Sequence, residues 1–256
     1  MRSFIVILPN SPAADTLTPA EIERRTRSYN ARRTLLRSNP SLYISRTRLS
    51  VRQIPIFATE RLIKRLSIHA VRAFDKEVKK GLRAGLTKDE MAEDEQPEND
   101  SVKEEMAADG KGKMKRSTGR RTGVKQAKIV RQQERVDPVT GKGRSKGYGF
   151  VEMQTHADAL RVLRWANNNP DVGPLFEEWW KDELEDLMKQ EKQKEQKDDP
   201  RLKRIKDELE KGGAKKSKGS LIVEFSIENV QVVQRRNTHQ KDKLPVCFAI
   251  PSELGV

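Results

Sequence analysis

Apolar and polar positions alternate from Thr47 to Ile54, with Leu49, Val51 and Gln53 on one parity and Arg48, Ser50 and Arg52 on the other, until Pro55 closes the run. A period of two with one apolar side predicts a strand that is wet on one face. After Thr59 the period lengthens: Leu62, Leu66, Ala70 and Phe74 step by four, with Ile63, Val71 and Val78 beside them. That stripe predicts a helix packed on the back of a sheet. A second strand follows from Lys125 to Gln132, then a turn at Asp137-Pro138-Val139-Thr140-Gly141, a basic loop Lys142-Gly143-Arg144-Ser145, and a third strand from Lys146 to Met153. Thr155 is placed to cap a helix carrying Ala159, Leu160, Leu163 and Ala166, which the Asn167-Asn168-Asn169-Pro170 run ends. The last strand, Leu221 to Ser226, alternates Leu221, Val223 and Phe225 with Ile222, Glu224 and Ser226. The order βαββαβ predicts an α+β domain in which two helices back a four-stranded antiparallel sheet.

Four stretches fall outside this pattern. In residues 1–45, Thr18-Pro19-Ala20-Glu21 reads as a capped helix start. The helix it opens is basic and weakly amphipathic, which predicts a linker arm. Residues 85–122 pass from an acidic run to a basic one and predict a disordered insertion. Residues 176–217 are charge-dense and predict a helical insertion. Both insertions offer little to bury and are expected to be removable, although the Trp179-Trp180 pair beside Leu175 and Phe176 is expected to pack on its own domain. The domain itself is expected over 46–230, with 231–256 as a tail.

Charge changes the picture from fold to partner. The 256 residues hold 52 Lys and Arg against 38 Asp and Glu, a formal charge of +14, which favours polyanions. One cysteine, Cys247, rules out an internal disulfide framework and fits a reducing compartment. The scattered histidines His69, His156 and His239 have no metal-ligand spacing. No metal, cofactor or small-molecule ligand is expected. Pro9 breaks the first apolar run too early for an export signal, and no run approaches the roughly 18 residues of a membrane span. No nucleophile and base, metal cluster or phosphate loop suggests an enzyme.

The third strand, Lys146-Gly147-Tyr148-Gly149-Phe150-Val151-Glu152-Met153, carries the chemistry. It matches the RNP1 pattern of the RNA-recognition motif (RRM), a ferredoxin-like fold, at six of seven specified positions, with Met153 in place of an aromatic. Tyr148, Phe150 and Glu152 share one face, so Met153 falls on the buried one. Two aromatics on an open sheet offer flat surfaces for unstacked bases, while Lys142, Arg144 and Lys146 reach phosphates. Where the RNP2 pattern of the first strand puts an aromatic stands Ser50. A rival register through Leu42-Tyr43-Ile44-Ser45 supplies an aromatic but leaves Pro55 and the helix at Thr59 too far away. The candidate RNA-binding residues are therefore Tyr148, Phe150, Lys146, Arg144, Lys142, Arg48, Ser50, Arg52, Lys128, Glu224 and Ser226. The competing reading is a protein-interaction module whose sheet is covered by its own acidic helix.

The lead-in Ser45-Arg46-Thr47-Arg48-Leu49, the helix end Ala166-Asn167-Asn168-Asn169-Pro170, the strand Val223-Glu224-Phe225-Ser226 and the RNP1 octamer together resemble the last RRM of the nucleolar protein 4 family, whose animal counterpart is an RNA-binding motif protein. The resemblance implies a nucleolar factor that binds precursor ribosomal RNA, contacts pre-ribosomal proteins and helps assemble the large subunit. Members carry several RRMs, so with one RRM this chain looks like either the carboxy-terminal portion of a longer protein or a truncated gene model. The basic cluster Lys111, Lys113, Lys115, Arg116, Arg120 and Arg121 is of the kind that directs nuclear import.

Overall fold

The computed structural model describes residues 14–15, 17–92, 123–137, 139–193, 199–210 and 220–241. In chain order these form α1 (Pro19–Ser38), β1 (Leu42–Arg52), α2 (Glu60–Lys79), α3 (Lys88–Ala92), β2 (Val124–Val136), β3 (Gly143–Met153), α4 (His156–Ala166), α5 (Val172–Gln193), α6 (Asp199–Glu210), β4 (Ile222–Asn229) and α7 (Val230–Lys241). The strands make one antiparallel sheet in the order β2-β3-β1-β4. With α2 and α4 behind it, this is the expected α+β, RRM-like arrangement.

The back face follows from the period-two pattern. Leu49, Val51, Ile129, Val151, Met153, Val223 and Phe225 are all buried there with Leu62, Ile63, Leu66, Ala70 and Phe74 of α2 and Ala159, Val162, Leu163 and Ala166 of α4. Each large aliphatic side chain so covered contributes roughly 1.5–3 kcal/mol. Both helices start where a threonine satisfies a free amide: Thr59 Oγ1 accepts from Leu62 N at 3.3 Å, and Thr155 Oγ1 from Asp158 N at 3.1 Å. The two glycines of the RNP1 strand are structural. Gly147 has φ +81°, which side chains with a Cβ rarely adopt, and its carbonyl accepts from Ile54 N at 3.0 Å. A Cβ on Gly149 would stand 2.6 Å from the Lys128 carbonyl of the neighbouring strand.

The margins differ from the sequence reading. β1 begins at Leu42, so the rival segment and the Leu49 segment are one strand, joined across a register shift between Ile44 and Leu49. The supposed tail carries α7. The charged stretch after Val172 is not a surface insertion with little to bury: Phe176, Trp179, Trp180 and Leu184 of α5 and Ile205 of α6 are at most 4% exposed and belong to the core. Trp180 packs 5.7 Å from the Phe57 ring, and Trp179 lies edge-on to His69 at 5.5 Å. Most of the 85–122 stretch, including the basic cluster from Lys111 to Arg121, lies outside the described residues; its first residues contain α3.

Candidate nucleic-acid interface

The other face of the sheet has no helix of the βαββαβ core on it. Strand register lines up Lys128, Phe150, Ser50 and Glu224 in one row across all four strands, and Tyr148, Arg52 and Ile222 in the next. Tyr148 is 37% exposed, Phe150 half-buried and Lys128 exposed. These three form an open surface on β2 and β3 with a cation at its rim.

Arg48 covers part of that surface. Its guanidinium carbon is 4.9 Å from the Phe150 ring centroid, and its Nη1 donates to Glu228 at 3.0 Å. Glu228 also pairs with Arg236 of α7 at 3.1 Å. On β3, Glu152 is held by Lys125 at 2.6 Å.

The β4 half of the face is closed, and the cover is α1. Arg25 is buried and donates to Asn167 Oδ1 at 3.0 Å and to the Leu221 carbonyl at 3.3 Å. One turn on, Ser28 Oγ donates to the Glu224 carboxylate at 3.4 Å, and a further turn on Arg32 donates to the Phe225 carbonyl and pairs with Glu224 at 3.6 Å. Arg52 completes the knot by donating to both Ser28 and Glu224. Burial pulls the Arg25 and Arg32 guanidinium groups below the usual arginine range, and the Glu224 charge opposes that drift. Both remain cations at physiological pH.

The predicted site residues therefore divide. Tyr148, Phe150 and Lys128 are brought together, with Arg48 beside them. Lys146 and Arg144 are exposed, Lys146 near Gln133 and Arg135 of β2, whereas Arg144 lines a cavity with Phe57, Val139, Trp180 and Glu208 beside the helix layer and is not brought to the aromatic pair. Lys142 points to the helix layer, where it pairs with Glu60 of α2 at 3.3 Å. Ser50 is half-buried and donates to the Glu224 carbonyl at 3.3 Å. Glu224 and Ser226, expected to contact RNA, are only 5% and 3% exposed at the closed edge and offer no such contact.

The acidic helix does not shield the sheet. α5 lies against α2, with Asp186 on Arg61 at 2.8 Å, Asp182 on Arg65 at 2.7 Å and Glu183 accepting from Thr59 at 2.7 Å. Burial raises the Glu183 carboxyl. The basic helix expected to be a linker arm takes the covering role instead. Its inward stripe, the buried Arg25 and Ser28 and the half-buried Arg32, has helical spacing but is polar, so hydrophobic periodicity passes over it.

Among the described residues no group of three or more His, Cys, Asp or Glu could hold a metal ion, and no helix is long and apolar enough to cross a membrane. Compared with curated proteins, the chain is similar to human (Homo sapiens) RNA-binding protein 28, at 24% identity over 185 residues. The match covers 72% of this chain but 18% of the relative. No family model and no solved structure matches the chain.

Proposed function

We propose that this chain binds single-stranded RNA on the β2–β3 half of its sheet, as an RNA-binding module and not a catalyst. The observation that carries the reading is the exposed Tyr148 beside Phe150 on an open sheet face, rimmed by Lys128, with the exposed Lys146 further along the same strand. Aromatic faces at this spacing stack unpaired bases at about 1–3 kcal/mol per base, and the cations take the phosphates. The similarity to human RNA-binding protein 28 supports it. The resemblance to the nucleolar protein 4 family extends the proposal to a nuclear, nucleolar factor acting on precursor ribosomal RNA in large-subunit assembly. The test is ultraviolet crosslinking of the tagged chain in cells. Recovery of precursor ribosomal RNA, abolished in the Tyr148→Ala, Phe150→Ala variant, supports the proposal; equal recovery with that variant overturns the stacking face.

A second reading rests on the opposite end of β1. Tyr43 and Ile44 are exposed at 37% and 49% where β1 runs on beyond β3, with Val230 and Val232 of α7 exposed as well. Such side chains suit a protein contact, in keeping with a pre-ribosomal protein as neighbour. Loss of protein partners but not RNA on Tyr43→Ser, Ile44→Ser replacement would favour that role for this end.

A further inference from the structure

We infer that α1 cuts the base-stacking platform down to two positions, so that the RNA this chain selects is one offering two adjacent unpaired bases and no longer stacked run. The inference rests on the proposed RNA binding and concerns how much of the sheet takes part.

Three observations fix the limit. Strands lie about 4.8 Å apart, so a four-stranded face is about 14 Å wide, and a helix of about 10–12 Å diameter laid along one edge covers about half of it. That edge is β4 and its seam with β1: Ile222, Glu224 and Ser226, alternate residues of β4, are all at most 5% exposed. In the row that holds Phe150, the next positions outward are Ser50, which has no ring and is bonded to the Glu224 carbonyl, and Glu224 itself, bonded to Ser28 of α1. A base beyond Phe150 in that direction has neither a ring to stack on nor room to enter.

The cover is a wall rather than a lid. Its contacts are spread along the helix, from Arg25 on Leu221 and on Asn167 at the end of α4, through Ser28, to Arg32 on the Phe225 carbonyl, so no single hinge releases it. Lifting it would break charge-assisted bonds that hold a buried carboxylate, one of the stronger classes of interaction in the fold. Arg52, held in the seam by Ser28 and Glu224 and standing in register with Tyr148, marks where the wall meets the open floor. Two stacking positions remain, Tyr148 and Phe150.

The experiment keeps the phosphate backbone constant and varies only the bases. Octanucleotides that are abasic except for one, two, three or four contiguous uracils are titrated against the full chain at fixed salt. Affinity is expected to rise about 5- to 150-fold with each of the first two bases, the range that stacking energies imply. From two to four bases it should rise by no more than about threefold, which additional registers of a two-base site supply. A third base that adds a further step as large as the second overturns the inference and leaves RNA stacking intact. A series with no rise at the first base overturns both this inference and the stacking reading beneath it.

Discussion

Arg48 lies over Phe150, its guanidinium carbon 4.9 Å from the ring centroid, while Glu228 holds the same group from the side at 3.0 Å. Ser50, the residue between Arg48 and Arg52 on the same face, is where an aromatic was missing from the platform. A planar guanidinium packs against an aromatic ring in a way a point charge does not, so Arg48 orients Phe150 as one of the two stacking positions and adds no third. Arg48→Ala and Arg48→Lys should therefore both weaken RNA binding, by on the order of 0.5–2 kcal/mol. Binding of the Lys variant at parental affinity would reduce Arg48 to a phosphate partner. Fluorescence anisotropy with a short uridine-rich RNA makes the comparison.

The sheet and its two backing helices were legible because their buried positions are apolar and recur at a period of two or four, as Leu49 and Val51 or Leu62, Leu66 and Ala70 do. The face of the aromatic pair was legible for the same reason, since period two places Tyr148 and Phe150 opposite Val151 and Met153. Two features were hidden. The α1 interface is made by Arg25, Ser28 and Arg32, whose partners lie almost 200 positions away in β4 and at Leu221 just before it, and no local rule reads such a polar stripe. The core role of α5 was legible only at the Trp179-Trp180 pair, which packs on its own domain as expected; for the rest charge density masked it, although Phe176, Trp180 and Leu184 step by four among the acidic residues. That spacing was the available signal, and the mean composition of the stretch outweighed it.

Removal of α5 and α6 should unfold the domain rather than trim it. Phe176→Ala and Trp180→Ala should each lower the unfolding free energy by about 3–5 kcal/mol, as large-to-small changes at fully buried aromatics do. Both side chains are at most 2% exposed. Urea unfolding monitored by circular dichroism gives the values; a drop below about 1 kcal/mol for both would return the segment to the status of an insertion.

Acid should weaken the junction between the β2–β3 hairpin and α2. Glu60 accepts from Arg131 Nε at 2.9 Å and Nη2 at 3.0 Å. Partial burial pushes its carboxyl up, but the Arg131 bonds and the Arg131 and Lys142 charges outweigh this and hold it at about 2. The folded state thus prefers the carboxylate more than the unfolded chain does. The stabilisation is complete above the ordinary value of 4.5 and declines as pH falls towards 2. Melting temperatures of the parent and of Glu60→Gln should accordingly differ at neutral pH and converge in strong acid, near the folded-state value of about 2. A constant gap between the two curves would rule out this linkage.

Glu224 should be required for the docking of α1. Its carboxylate is met by Ser28, Arg32 and Arg52, and without it those two arginines, with Arg25 close by, face one another at a buried seam. Glu224→Ala should destabilise the fold by about 1–3 kcal/mol, less than for a fully buried ion pair because Arg32 and Arg52 keep part of their side chains in water. Amide hydrogen exchange should quicken over α1 while the back-face strand positions at Leu49 and Val151 stay protected. Uniform loss of protection across the sheet would show that α1 and the sheet unfold as one unit.

Stacking and charge should separate in a salt titration, and the structure decides which cations count. Tyr148→Ala with Phe150→Ala should cost on the order of 2–6 kcal/mol of RNA affinity, about 1–3 per base, and leave the slope of log affinity against log salt nearly unchanged. Lys128 and Lys146 are exposed on β2 and β3, so replacing each by Ala should flatten that slope by about 0.7 for every single-strand phosphate left without its cation. Lys142 is exposed as well, but it stands on the other side of the hairpin. It is tied to Glu60 on the helix layer at 3.3 Å, so Lys142→Ala should leave the slope where it was. A slope that flattened as much for Lys142→Ala as for Lys146→Ala would mean that the RNA passes around the hairpin to the helix side, and the phosphate path would have to be redrawn from the sheet face to that edge.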